Sequence, residues 1–152
     1  MSESSTDAQR PPLLIKERDD GVLIARLNRP ERMNALGGGL REELNALWFE
    51  FRDDPDLKVM ILTGSGDRAF CTGMDLREND QRARDLGAQS AQALLESLRT
   101  ASIVPSINTN NMFLYKPVMA ATNGWCVAGG CERALGCDLR IIEEHARIGL
   151  PE

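Results

Sequence analysis

The chain has 152 residues, 42% of them hydrophobic and 27% charged, which suits one domain able to bury about 70% of the surface of its unfolded chain. Its 18 basic and 23 acidic residues leave a formal charge of −5, so nothing in the overall field favours a nucleic-acid partner, and any bound phosphate must be drawn by local arginines or helix ends. No apolar stretch approaches the roughly 20 residues needed to span a bilayer.

The start, Met1 to Pro12, is polar and ends in prolines. It has no apolar centre, so it is no secretory signal, and it reads as a disordered tail ahead of a domain at 13–152. These features predict a soluble, cytoplasmic protein. Val22 to Leu27 is a strand candidate that ends before Pro30, and Leu13 to Lys16 pairs with it through the turn Asp19-Asp-Gly21. Leu40, Leu44, Leu47, Trp48 and Phe51 recur at helical spacing, which predicts an amphipathic helix over Gly39 to Asp53 with those aromatics in the core. Lys58 to Thr63 follows as a strand, and Gly64 to Asp67 as a turn. Beyond it, Asp80 to Asp85 is densely charged, and Leu94, Leu95 and Leu98 mark an apolar helix face. Val118 to Thr122 is a short buried strand closed by the turn signal Asn123-Gly124, a helix runs from Cys131 to Cys137, and a further strand follows. This order argues an α/β class built of ββα units, although no repeat is visible in the sequence.

Two glycine positions carry chemistry. Gly129 falls where a helix begins, and the first N–H groups of a helix have no partner inside it. Small residues there let an oxyanion approach the positive helix end, so the Gly129 N–H can form half of an oxyanion hole. Glu132 lies in the first turn of that helix, beside the same opening. Gly73 permits a tight turn that aims the Met74 N–H outwards. Each feature has a plainer counterpart: glycines that only turn or pack, and a glutamate that only decorates a helix. His145, the single histidine, stands among charges at Glu143 to Arg147 as a solvated loop residue. The cysteines at 71, 126, 131 and 137 lack Cys-x-x-Cys pairing and read as buried packing residues of a reducing compartment.

Four blocks carry a resemblance: Asn28-Arg-Pro-Glu-Arg-Met-Asn-Ala-Leu36; Ala69-Phe-Cys-Thr-Gly-Met-Asp-Leu76; Asn123-Gly124 with Ala128-Gly-Gly-Cys-Glu132; and Cys137-Asp-Leu-Arg140 through Gly149-Leu-Pro-Glu152. In this order and spacing they resemble the enoyl-CoA hydratase/isomerase, or crotonase, family, from about Val22 to the end. The resemblance implies a crotonase-like spiral of ββα units and a CoA thioester whose carbonyl sits between two backbone donors, matching Met74 and Gly129. It also implies two catalytic glutamates acting on one water, matching Glu132 and Glu152. Glu152, as the last residue, also carries the terminal carboxylate and tends to fray. Met74 stands where relatives usually carry a smaller residue, which narrows the pocket without removing the donor. Contacts to CoA are implied for Arg32, Met33, Asp75, Leu76 and Arg77; Arg32 and Arg77 are either phosphate contacts or ordinary solvated arginines. No metal and no cofactor are implied, CoA being part of the substrate.

The family normally continues for roughly a hundred residues past the second glutamate, in helices that cover the acyl site and build a trimer or hexamer, a length that domain sizes allow. The resemblance therefore implies an incomplete member, lacking the C-terminal helical region and weakly active or self-associating. Hydration of a 2-enoyl-CoA is the expected reaction. Double-bond isomerisation, other crotonase chemistry and a non-catalytic remnant binding CoA or a partner remain open.

Overall fold

The computed structural model describes residues 11–78 and 114–151. The charged stretch 80–85 and the leucines at 94, 95 and 98 lie outside these residues, as does the tail apart from Pro11 and Pro12.

A hairpin opens the chain. Strand β1 (Leu14–Asp19) pairs antiparallel with β2 (Val22–Leu27). The residues between them, Asp20 and Gly21, have φ of 40° and 82°, the pattern of a type I′ turn, whose twist matches the strands it joins. A single 3₁₀ turn (Pro30–Arg32) leads to helix α1 (Leu40–Asp53), which lays Leu40, Leu44, Leu47, Trp48 and Phe51 on the sheet as the spacing predicted. Gly39, at φ 97°, is its N-cap.

From here the chain winds in a spiral. Strand β3 (Val59–Gly64) turns a corner into β4 (Ala69–Cys71); β5 (Val118–Thr122) turns into β6 (Trp125–Val127); β7 (Leu139–Ile142) turns into β8 (Arg147–Gly149). Each pair gives its first strand to a five-stranded sheet ordered β1-β2-β3-β5-β7 and its second to a three-stranded sheet ordered β4-β6-β8. All pairings after the hairpin are parallel. Helix α2 (Gly129–Gly136) follows β6 and completes a ββα unit. The second sheet was not anticipated, because three-residue strands show no periodicity to read.

Side chains lock successive turns of the spiral. Asn123 donates from Nδ2 to the carbonyls of Gly64 and Gly66 and accepts the Gly64 N–H on Oδ1, fastening one corner to the next. Thr63 donates to Ala121 C=O and Thr122 to Ile141 C=O. Asp138 accepts the Val118 N–H on its carboxylate at 2.8 Å, stitching the start of β5 to β7. The core between α1 and the sheets holds Leu23, Leu27, Leu44, Phe51, Met60, Leu62, Phe70 and Val118, all essentially inaccessible to solvent.

The cysteines are free and buried, as expected. Burial pushes the thiols of Cys126 and Cys137 up to about 12, which removes the thiolate a reactive cysteine requires. No helix among the described residues is long and apolar enough to cross a membrane.

Among the described residues, β7 and β8 have no further strand beside them, and the apolar residues there are exposed: Leu139, Ile141, Ile142, Ile148 and Leu150, as is Leu135 of α2. An exposed apolar edge is a template for pairing with another chain. The chain is therefore expected to sediment as a concentration-dependent mixture of species, and the pair of substitutions Ile141→Lys and Ile148→Lys to shift it toward monomer in sedimentation velocity.

Candidate active site

Strands β4 and β6 run parallel and side by side, so both chains leave the small sheet at the same level. A bulge in β4, where Ala69 pairs with Trp125 and Cys71 with Cys126, leaves Phe70 as the extra residue at this corner. Beyond the strands, the loop Thr72-Gly73-Met74 meets the loop Ala128-Gly129. A Cβ on Gly73 would sit 2.9 Å from the Gly129 nitrogen and 3.0 Å from the Ala128 Cβ, and Gly73 itself has φ 83°, so only glycine fits there. Gly130 is pinned equally tightly, because a Cβ there would collide with the Cys71 carbonyl; α2 thus packs directly on the β4 backbone.

Both candidate donors are free of the surrounding ladders. Gly129 is the first residue of α2, so its N–H lacks an intrahelical acceptor. Met74 forms an isolated parallel bridge with Leu36, whose bonds run from the Leu36 N–H to Gly73 C=O and from the Asp75 N–H to Leu36 C=O; the Met74 N–H is not spent on it. Ala128, the N-cap, holds φ 48° and ψ −130°, a region L-residues rarely occupy. Strain of this kind costs about 1–3 kcal/mol and persists where the surroundings impose it. Here the Ala128 N–H is tied to Gly149 C=O at 3.2 Å, anchoring the loop to β8.

These loops floor a cleft of about 570 Å³, lined by Leu36, Arg41, Thr72, Met74, Leu76, Val127, Ala128, Gly129, Glu132, Arg133 and Pro151. That volume falls within the range of small-molecule sites. The exposed Glu132 carboxylate comes 3.9 Å from where a Gly129 Cβ would stand. Two backbone donors, one carboxylate and a mostly apolar wall suit a carbonyl that develops negative charge while a proton moves nearby.

Of the residues singled out in the sequence, Met74, Leu76, Gly129 and Glu132 come together around this cleft. Glu152 lies outside the described residues; its predecessor Pro151 lines the cleft. Arg32 and Met33 do not line it. Met33, at φ 54°, borders a separate cavity of about 40 Å³ with Pro30, Asn34 and Ser65 to Ala69. Arg77 is exposed and is likewise absent from the cleft lining.

The expectation that Asp75 contacts CoA needs correcting as regards its side chain. Asp75 is 6% exposed, its Oδ2 receives Arg29 Nη2 at 3.1 Å, and its Oδ1 receives the Arg77 N–H. Arg29, equally buried, also donates to Glu78 at 2.8 Å and to Ala35 C=O at 2.9 Å. Its own N–H is received by Asn34 Oδ1 at 2.9 Å, and Asn34 Nδ2 donates to the carbonyls of Ser65 and Ala69. Arg29 and Asn34, which the sequence reading left without a role, thus weld the 28–38 loop to the turn that presents Met74. The signal for them was the motif itself, two polar residues five apart in a loop.

The sequence profile of the enoyl-CoA hydratase/isomerase family matches residues 17–152. Among curated proteins, the chain is 36% identical over 139 residues to an (E)-benzylidenesuccinyl-CoA hydratase of Thauera aromatica, covering 90% of this chain and 49% of that protein. It is 34% identical over 145 residues to a crotonyl-CoA hydratase of Syntrophomonas wolfei, covering 91% and 50%. Among solved structures, an enoyl-CoA hydratase/isomerase from Xanthobacter autotrophicus Py2 superposes with a TM-score of 0.76 at 34% identity, over 93% of this chain and 49% of that one. The spiral is therefore the crotonase-like α/β fold, as expected. The chain belongs to the enoyl-CoA hydratase/isomerase family, and it spans about half the length of the curated relatives it matches.

Removing one partner of a buried ion pair typically costs about 3–5 kcal/mol. Arg29→Met is accordingly expected to lower the unfolding free energy by an amount of that order, read as a fall in the urea midpoint, and a surface control, Arg26→Met, by far less, since the Arg26–Glu17 pair is exposed.

Proposed function

We propose that this chain carries the thioester site of an enoyl-CoA hydratase. The observation that carries the reading is the abutment of Gly73 on the Gly129 nitrogen, with Glu132 on the same cleft. The substrate is a 2-enoyl-CoA, and no cofactor is invoked beyond the CoA it brings. Its carbonyl oxygen lies between the N–H groups of Met74 and Gly129, which stabilise the enolate charge that develops when water attacks; a donor of this kind is worth about 3–4 kcal/mol of barrier. Water adds across the double bond. Its oxygen bonds to the β-carbon as one glutamate takes its proton, and the α-carbon receives a proton from the other, the pair being Glu132 and Glu152. Paired carboxylates suit this division because repulsion and burial allow one of them to hold a proton near neutrality.

Leu76 and Met74, 72% and 48% exposed, give the cleft an apolar lip suited to a pantetheine arm. Arg77 in the exposed helical segment after Asp75 and Arg32 at the end of the Pro30–Arg32 turn are offered as cations to CoA phosphates. As the family resemblance implies for full-length members, the working assembly is a homo-oligomer, a trimer or hexamer, and the cytoplasm is its compartment.

Glu132→Gln keeps size and removes the proton-transfer group. Hydration of crotonyl-CoA, followed by loss of the enoyl absorbance, is expected to fall about 10²–10⁴-fold, while affinity for a saturated thioester survives. Gly73→Ala places a methyl against the Gly129 N–H and forces φ 83° on an L-residue. It should depress turnover about 10²–10³-fold through loss of a donor, with Gly149→Ala, whose Cβ meets nothing within 4 Å, as the tolerated control.

A further inference from the structure

Arg133 is the one charged residue on the buried side of α2. It is 6% exposed, yet it lines the cleft. Its Nη1 lies 3.3 Å from the Gly129 carbonyl oxygen and 3.9 Å from the point where a Gly129 Cβ would stand, so the guanidinium sits beside the Gly129 backbone. Its Nε is buried without a hydrogen-bond partner among the described residues. Arg133 forms no ion pair among the described residues, whereas Arg29, buried to the same degree, holds two carboxylates. A second guanidinium, Arg41 at the start of α1, lines the same cleft, and its contact with an acid is a loose 3.6 Å approach to its exposed neighbour Glu42.

A buried guanidinium without a counter-ion is costly, and proteins hold one where an anion comes to meet it. Arg133 and Arg41 face each other's field: burial pulls the Arg133 pKa down, Cys71 and Glu132 oppose that, and Arg41 adds to it. Among the described residues, two cations and one carboxylate, Glu132, line the cleft, and Glu132 is given to proton transfer in the reading above. The phosphates of CoA are not the missing anion, because the pantetheine arm separates them from the thioester carbonyl, whereas Arg133 adjoins the donor that would hold that carbonyl.

Resting on the thioester reading above, we infer that Arg133, with Arg41, receives a carboxylate on the acyl group, so that the substrate is a short thioester of a dicarboxylic acid and not a simple fatty acyl-CoA. The proximity of Arg133 to Gly129 confines that carboxylate to within a few bonds of the reacting carbons. The planar guanidinium of arginine suits it, since paired N–H donors match the two oxygens of a carboxylate.

The test compares binding of two unreactive saturated thioesters, glutaryl-CoA and pentanoyl-CoA, to the full chain by titration calorimetry at fixed ionic strength, with free CoA as reference. The wild-type chain is expected to bind glutaryl-CoA about ten-fold or more tightly than pentanoyl-CoA, as a hydrogen bond to a charged group allows. Arg133→Met should abolish that preference and leave pentanoyl-CoA binding unchanged, and Arg133→Lys should keep part of it. Equal affinity of the wild-type chain for the two thioesters overturns the inference and leaves the thioester site standing; this comparison needs no variant to fold. Neither thioester binding better than free CoA overturns the thioester reading, and this inference with it. Equal loss of both ligands in a folded Arg133→Met overturns it in favour of a role for the guanidinium in shaping the Gly129 turn.

Discussion

The site depends on one constraint: β4 and β6 lie parallel, end at the same level, and turn away through backbones that nearly touch. Gly73 and Gly129 meet so closely that a single methyl on Gly73 would press on the Gly129 nitrogen. Parallel neighbours arise because the chain winds as a spiral, each turn laying one strand on each sheet. The same geometry directs the N–H groups of Met74 and Gly129 away from the ladders, which is what a pair of oxyanion donors requires. The strained Ala128 backbone is held in place by its bond to β8 on one side and by the close packing of Gly130 on Cys71 on the other.

Around this junction the protein concentrates its buried polar groups. Arg29, Asn34 and Asp75 are each at most 6% exposed, and their bonds converge on the backbone segments flanking Gly73. Such a network stabilises little relative to an apolar core, but it admits one arrangement only, because any slip leaves charged or amide groups unpaired. Positional definition is what backbone donors need, since they have no side chain to adjust. Arg133 differs within this pattern: it is just as buried, its Nη1 donates to the Gly129 carbonyl, and its Nε has no partner among the described residues.

Much of the fold was legible. The hairpin, α1, β3 and β5 announced themselves through alternation, helical spacing, β-branched runs and turn residues, and their ends fell within a residue or so of expectation, except that β1 runs to Asp19. The three short strands β4, β6 and β8 were not, since three residues cannot display a period and their pairing partners lie a whole spiral turn away. In the site, glycines and the glutamate were readable because their chemistry is local: a turn, a helix start, a first-turn carboxylate. The burial of the Asp75 side chain was not legible because its partner, Arg29, is 46 residues upstream, and no local pattern reports that a loop carboxylate is buried. Arg133 left a trace that was overlooked, a lone cation between Cys131 and Ala134 on the inward side of a short helix.

The central claim is that the two loop donors polarise a thioester carbonyl, and vibrational spectroscopy reads that bond directly. The carbonyl stretch of a bound enoyl-CoA labelled with carbon-13 at C1, taken as the infrared difference between labelled and unlabelled complexes, should move to lower frequency than in free solution and return toward the free value in Gly73→Ala. A bound thioester whose carbonyl stretch stays at its solution frequency would contradict the account.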